Sequence, residues 1–159
     1  MPLTHTRKNI TMKKLVITLS LAAASLFSVG SALAQTAAAP NDQLYKAFGE
    51  KPGLVVLMDD FMIRLLADAR TGPHFKPANQ QRVKEQLVEQ LCALSGGPCV
   101  YKGADMKTSH INLDIKKSDF HALVEVLQAA MDAKGIPFTK QNEMLALLAP
   151  MNRDIITPK

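Results

Sequence analysis

The sequence contains no His-Glu-x-x-His, no Gly-x-Ser-x-Gly and no Cys-x-x-Cys. Each of those spacings would set a metal ligand, a nucleophile or a dithiol where its chemistry needs it, so the corresponding hydrolase and dithiol redox classes have no support here. Cys-x-x-Cys-His is missing as well, which removes covalent haem attachment of the c type. Past residue 34 the only histidines are His74, His110 and His121 and the only cysteines Cys92 and Cys99, too few and too scattered for a zinc site. No run alternates apolar and polar residues as a half-buried strand would, which leaves an all-α domain without internal repeats.

The first 34 residues have a different character. Lys13 and Lys14 precede an apolar run from Leu15 to Val29, and Gly30-Ser31-Ala32-Leu33-Ala34 supplies small residues of the kind found at a cleavage site. The run is shorter than the roughly 20 residues that span a bilayer, and no cysteine follows it to carry a lipid. Residues 1–34 therefore read as an export signal cut after Ala34. Residues 35–41 read as a flexible Ala-rich tail and 42–159 as one domain. Export points to a periplasmic destination and to a compartment in which a disulfide can persist. The formal net charge is +5, but Arg7, Lys8, Lys13 and Lys14 all lie in the signal. What remains is nearly balanced, has no basic stripe and gives no reason to expect nucleic acid or membrane insertion as a partner.

Helices account for the rest. Asn41 or Asp42 can cap a short helix holding Leu44, Tyr45 and Phe48 and ending at Gly49. Leu54, Leu57, Met58, Phe61, Met62, Leu65 and Leu66 recur at three-four spacing, the pattern of a core helix, with Asp60 one turn from Arg64. Residues 71–79 hold Gly72, Pro73 and Pro77 and predict a turn-rich connection around Phe75, which is either a core aromatic or a clamp at the edge of a cofactor. A second long helix is predicted over 80–94 with Val83, Leu87, Leu91 and Leu94 on one face and Gln86 at its border. Ser118 can cap a helix burying Phe120, Leu123, Val124, Leu127, Ala130 and Met131 up to Gly135. Thr139 can cap the last, with Met144, Leu145, Leu148 and Met151 as its stripe and Pro150 as its interruption.

Between these helices runs CALSGGPCVYKGADMKTSHINL, from Cys92 to Leu113. It stops one helix at Ser95-Gly96-Gly97-Pro98 and opens a short segment with Met106 and His110 one turn apart. Cys92 and Cys99 straddle the stop, where a bridge and two buried thiols are both compatible with the spacing. Read alone, His110 is more often a surface or core histidine than a ligand. Noncovalent haem nevertheless asks little of a sequence: apolar side chains from several helices to hold the macrocycle, and one axial imidazole.

Three ordered stretches carry a resemblance. LYKAFGEKPGLVVLMDDFMIRLLADAR, then VKEQLVEQLCALSGGPCVYKGADMKTSH, then DFHALVEVLQAAMDAKGIP with LLAPMNRDI resemble the group 1 truncated haemoglobins over about Leu44 to Ile156. The resemblance implies a two-over-two helical sandwich around haem b, with iron bound by His110. It also implies Met106 and Phe75 as apolar haem contacts, Lys107 near a propionate and Tyr101 near the haem edge. The partner it implies is a diatomic ligand: oxygen, NO or CO.

The chain departs from the family where oxygen is held. Members that bind oxygen tightly usually have Tyr directly after the Phe of the DDF-like motif and Gln at one or both distal-helix positions; Met62, Val83 and Leu87 stand there instead. Gln86 is the nearest polar substitute, at a place where some relatives carry a second haem-ligating His. The first-turn Gly-Gly of the family is Gly49-Glu50. The expectation is an apolar distal pocket lined by Met62, Val83 and Leu87 and poor at oxygen storage. NO dioxygenation stays open, as do electron transfer with a redox partner and Met62 as a sixth iron ligand, and a helical binding protein without haem.

Overall fold

The computed structural model describes residues 41–157; the expected export signal at 1–34 and residues 35–40 of the expected tail lie outside them. The elements in order are α1 (Gln43–Ala47), α2 (Glu50–Ala67), α3 (Gly72–Phe75), α4 (Gln80–Leu94), α5 (Met106–His110), α6 (Lys117–Ala133), α7 (Phe138–Leu148), a 3-10 turn (Ala149–Met151) and α8 (Asn152–Ile155). Among the described residues there is no strand, and no helix is long and apolar enough to cross a membrane.

α1 is only five residues long and depends on tertiary partners, since short helices are marginal alone. It buries Leu44, Tyr45 and Phe48. The Tyr45 amide donates to the Ser95 carbonyl at 3.2 Å, and the Tyr45 hydroxyl accepts from the Lys51 amide at 2.9 Å, tying α1 to the end of α4 and the start of α2. The chain turns into α2 through two left-handed residues, Gly49 at φ 76° and Glu50 at φ 58°. A glycine tolerates that region without cost and a glutamate does not.

α2 starts at Glu50, ahead of the Leu54 expected from periodicity, because Pro52 fits in a first turn where its missing amide proton is not needed. Leu54, Leu57, Met58, Phe61, Met62 and Leu65 are all buried, as their spacing predicted. Each fully buried leucine contributes roughly 1.5–3 kcal/mol. On the polar side Arg64 Nε donates to Asp60 Oδ2 at 2.7 Å. Past the helix, buried Thr71 donates its hydroxyl to the Leu65 carbonyl at 2.8 Å, which fixes the corner from which α3 presents Phe75.

α4 has the predicted bounds. Asn79 caps it by accepting the Arg82 amide at 3.0 Å, and Ser95 closes it by donating to the Leu91 carbonyl at 2.6 Å. Its buried set is Val88, Gln90, Leu91 and Cys92, so the core-facing line is displaced by about one residue from the Val83–Leu94 stripe. α6 begins at Lys117, before the expected Ser118 cap: Asp119 reaches back to accept the Lys116 amide at 2.9 Å. Its fully buried residues are Ala122, Val126, Leu127, Ala130 and Met131, while Phe120, Leu123 and Val124 turn to one side of that core. α7 likewise starts before Thr139, directly after Pro137. Pro150 interrupts the last helix as its missing amide requires, leaving a 3-10 turn and then α8.

α2 packs on α4 and on α6, and α6 packs on α7. The result is two helix pairs stacked on each other, the all-α two-over-two sandwich. Cys92 and Cys99 form a disulfide, Cα–Cα 5.7 Å, the alternative that the spacing had left open. It pins the strand of loop beyond Pro98 to the end of α4.

Candidate functional site

Apolar residues of α2, α4, α6 and α7, some of them also part of the core, face a cavity of about 530 Å³. Met58 and Phe61 come from α2, Val83, Gln86, Leu87 and Gln90 from α4, Phe120, Leu123 and Val124 from α6, and Leu145 and Leu148 from α7. Phe75 closes one side from α3, and Tyr101, Met106 and His110 close another. Its wall is mostly apolar with a few polar groups, the make-up of a ligand site.

α5 is the element that gives the cavity its chemistry. Its N-cap, Asp105, accepts the Thr108 amide at 2.8 Å and the Thr108 hydroxyl at 2.7 Å. Those bonds, the backbone one first, hold the Asp105 carboxyl below the usual carboxylate range. One turn on, His110 Nδ1 lies 2.7 Å from the Met106 carbonyl oxygen. A carbonyl only accepts, so Nδ1 carries the proton and donates. Nε2 is then the ring's acceptor, on a residue that lines the cavity, the arrangement of a metal-ligating imidazole oriented by a backbone carbonyl.

Tyr101 lies beside this helix. Its hydroxyl donates to the Ala104 carbonyl at 2.9 Å, and burial first, then the Asp105 and Glu89 charges, push its pKa up. Gly103 is required by the packing here: a Cβ would collide with the Tyr101 hydroxyl and with Gln86 Oε1. That contact places the Gln86 carbonyl oxygen against the Tyr101–Gly103 loop.

Of the residues expected at a haem, His110, Phe75, Val83, Gln86, Leu87, Tyr101 and Met106 share this one wall. Met62 and Lys107 do not line it. Successive helical residues diverge by about 100°, and in α2 it is Phe61 that faces the cavity. Met62, 4 % exposed, borders a shallow outer pocket with Ile63, Leu66, Gln80 and Lys84. Lys107 is exposed on the outer side of α5. Periodicity passed over three residues that matter to this region. Gln90, three residues past Leu87, falls on the cavity side of α4 and is 8 % exposed. His74 and Asp119, both in the wall, approach to 3.6 Å. The signal for Gln90 is a glutamine at an apolar register position; the His74–Asp119 pair spans two elements and leaves no local trace.

A helical sandwich enclosing an apolar cavity, with one tautomer-fixed histidine on its wall, defines a globin. The bacterial-like globin family matches residues 43–157. The group 1 truncated hemoglobin GlbN of Mycolicibacterium paratuberculosis is 33% identical over 114 residues, 72% of this chain and 84% of that protein. The truncated hemoglobin of Tetrahymena pyriformis in its Fe(III) form superposes with a TM-score of 0.67 at 26% identity, covering 73% of this chain and 98% of that one. The two-over-two hemoglobin of Synechococcus sp. PCC 7002, solved in the cyanomet state with covalently attached heme, has the same fold at TM-score 0.67 and 18% identity, covering 71% and 97%. The chain belongs to the group 1 truncated haemoglobins: it is a haem-binding globin able to bind a diatomic ligand.

Proposed function

We propose that the chain holds haem b noncovalently in the 530 Å³ cavity, with His110 Nε2 as the iron ligand, and that it binds a diatomic ligand without retaining oxygen tightly. The observation that carries this reading is the 2.7 Å contact from His110 Nδ1 to the Met106 carbonyl. It leaves one nitrogen available on a wall otherwise suited to a flat apolar ring. When bound, haem would supply an iron able to take a diatomic ligand. The protein supplies the rest: His110 would hold the iron, Phe75, Tyr101 and Met106 border the site, and Val83 and Leu87 line it from α4. Neither Val83 nor Leu87 can donate a hydrogen bond to a ligand, and Gln86 has its oxygen turned toward Gly103.

The same reading places the mature domain outside the cytoplasm, in the periplasm where the cell has one. The signal at residues 1–34 supports export, and the Cys92–Cys99 disulfide supports an oxidising destination. The test is the visible spectrum of purified protein in ferric, ferrous and CO-bound forms, beside His110→Ala. We expect a Soret band in the parent that CO shifts, and its loss or a change of iron coordination in His110→Ala. A spectrum unchanged by His110→Ala removes the ligand assignment, and a ferrous form inert to CO removes the diatomic one.

A further inference from the structure

α5 carries the histidine on which the site depends, yet it buries none of its own residues and is five residues long. A helix of that length does not hold its position unaided. Two contacts from distant elements reach its two ends. At the first residue, Gln90 of α4 directs its amide nitrogen between two thioethers, Met106 Sδ at 3.7 Å and Met151 Sδ at 3.4 Å. At the last residue, Thr157, just past α8, donates its hydroxyl to the His110 carbonyl at 3.2 Å, and its amide donates to the Ile115 carbonyl at 3.0 Å. α8 is also the helix against which α5 chiefly packs.

We propose that Gln90 and Thr157 are positioning residues for His110: they strap α5 at both ends, so that α4 and the C-terminal residues 152–157 together set how the imidazole meets its ligand. The inference rests on the haem reading above and adds to it a mechanical origin for the imidazole's pose. Met106 is the link at the front end, since its thioether takes the Gln90 contact and its carbonyl takes His110 Nδ1–H. A shift of Met106 therefore turns the ring. At the rear end Thr157 acts on the backbone of His110 itself. Gln90 is almost fully buried, and its amide nitrogen donates to two sulfur acceptors. It is a polar group retained in an apolar wall, where a leucine or methionine would fill the space at lower desolvation cost.

The experiment uses the full mature holoprotein. Thr157→Val preserves shape and removes the donor; Gln90→Met preserves volume and removes the amide; Thr157→Ser restores the hydroxyl. The readouts are the iron–histidine stretching band of the ferrous protein by resonance Raman, and the rate of haem loss to a scavenging apoglobin. We expect Thr157→Val and Gln90→Met each to shift or broaden that band and to accelerate haem loss about fivefold, the equivalent of one net hydrogen bond. Thr157→Ser should return both to the parent values. A band unchanged in both variants overturns the proposal even if they unfold more easily, because that outcome is a purely structural role. A parent protein that never shows an iron–histidine band defeats the haem reading instead, so the two failures are distinct.

Discussion

At the scale of single residues, the proposed ligand preference rests on two side chains of α4. Val83 and Leu87 stand on the cavity wall with no donor to offer, and bound dioxygen, being polar, gains more from a donor than CO does. A hydrogen bond to a partly charged acceptor is worth about 1.5–3 kcal/mol, or roughly ten- to a hundredfold in affinity. Leu87→Gln should therefore slow oxygen dissociation by at least about tenfold while leaving CO dissociation within a small factor; stopped-flow displacement of oxygen by CO measures both. Equal oxygen off-rates in parent and variant would contradict the apolar-pocket account. His110 stood out in the sequence only through the family resemblance carried by the local motif around it, since a lone histidine one turn from a methionine is more often a surface or core residue. Gln90 and Thr157 did not, since what they do depends on residues far along the chain that only folding brings near. Glu50 lies between these cases: its place in the Gly-Gly pair was readable, and its φ of 58° is the cost of the exchange.

At the scale of elements, the long helices followed from periodicity, but their starts did not. α2 begins ahead of its apolar stripe, and α6 and α7 begin earlier than their capping residues suggested, because Pro52, the Asp119–Lys116 bond and Pro137 govern their first turns. The stripes also mixed two jobs. On α6, Ala130 and Met131 fill the core, Phe120 and Val124 face the cavity and Leu127 does both, and an apolar residue looks the same in either role. The loop from α4 to α5 depends on the disulfide. Closing so short a loop contributes about 2.5 kcal/mol by chain entropy, so the Cys92→Ser, Cys99→Ser double variant should lose about that much in urea unfolding, and a reductant should bring the parent to the same midpoint. Further on, the depressed Asp105 pKa makes the α5 cap sensitive to acid. Because the folded pKa lies below the unfolded one, the stabilisation is complete above the ordinary carboxylate range and is lost as pH falls through the folded value. Asp105→Asn keeps an acceptor without a charge. Haem loss in acid should then rise more steeply in the parent than in this variant, as followed by the Soret decay between neutral and acidic pH.

At the scale of the whole molecule, the structure has two parts that depend on different things. The core, made by Leu54, Leu57 and Leu65 of α2, Leu91 and Cys92 of α4, Ala130 and Met131 of α6 and Met144 of α7, is nearly inaccessible to solvent, and of these residues only Leu91 also lines the cavity. By contrast, α5 buries no residue, α8 buries none, and both border the cavity. Stability is then unequal along the chain, and the occupant of the cavity should be what evens it out. In hydrogen-exchange mass spectrometry of the protein with and without haem, segments 101–115 and 149–157 should lose most of their protection on haem removal, while 54–65 and 122–131 keep theirs. Protection lost uniformly across all helices would mean that the core and the cavity wall fold as one unit. Protection unchanged everywhere would mean that the helices close the cavity by themselves.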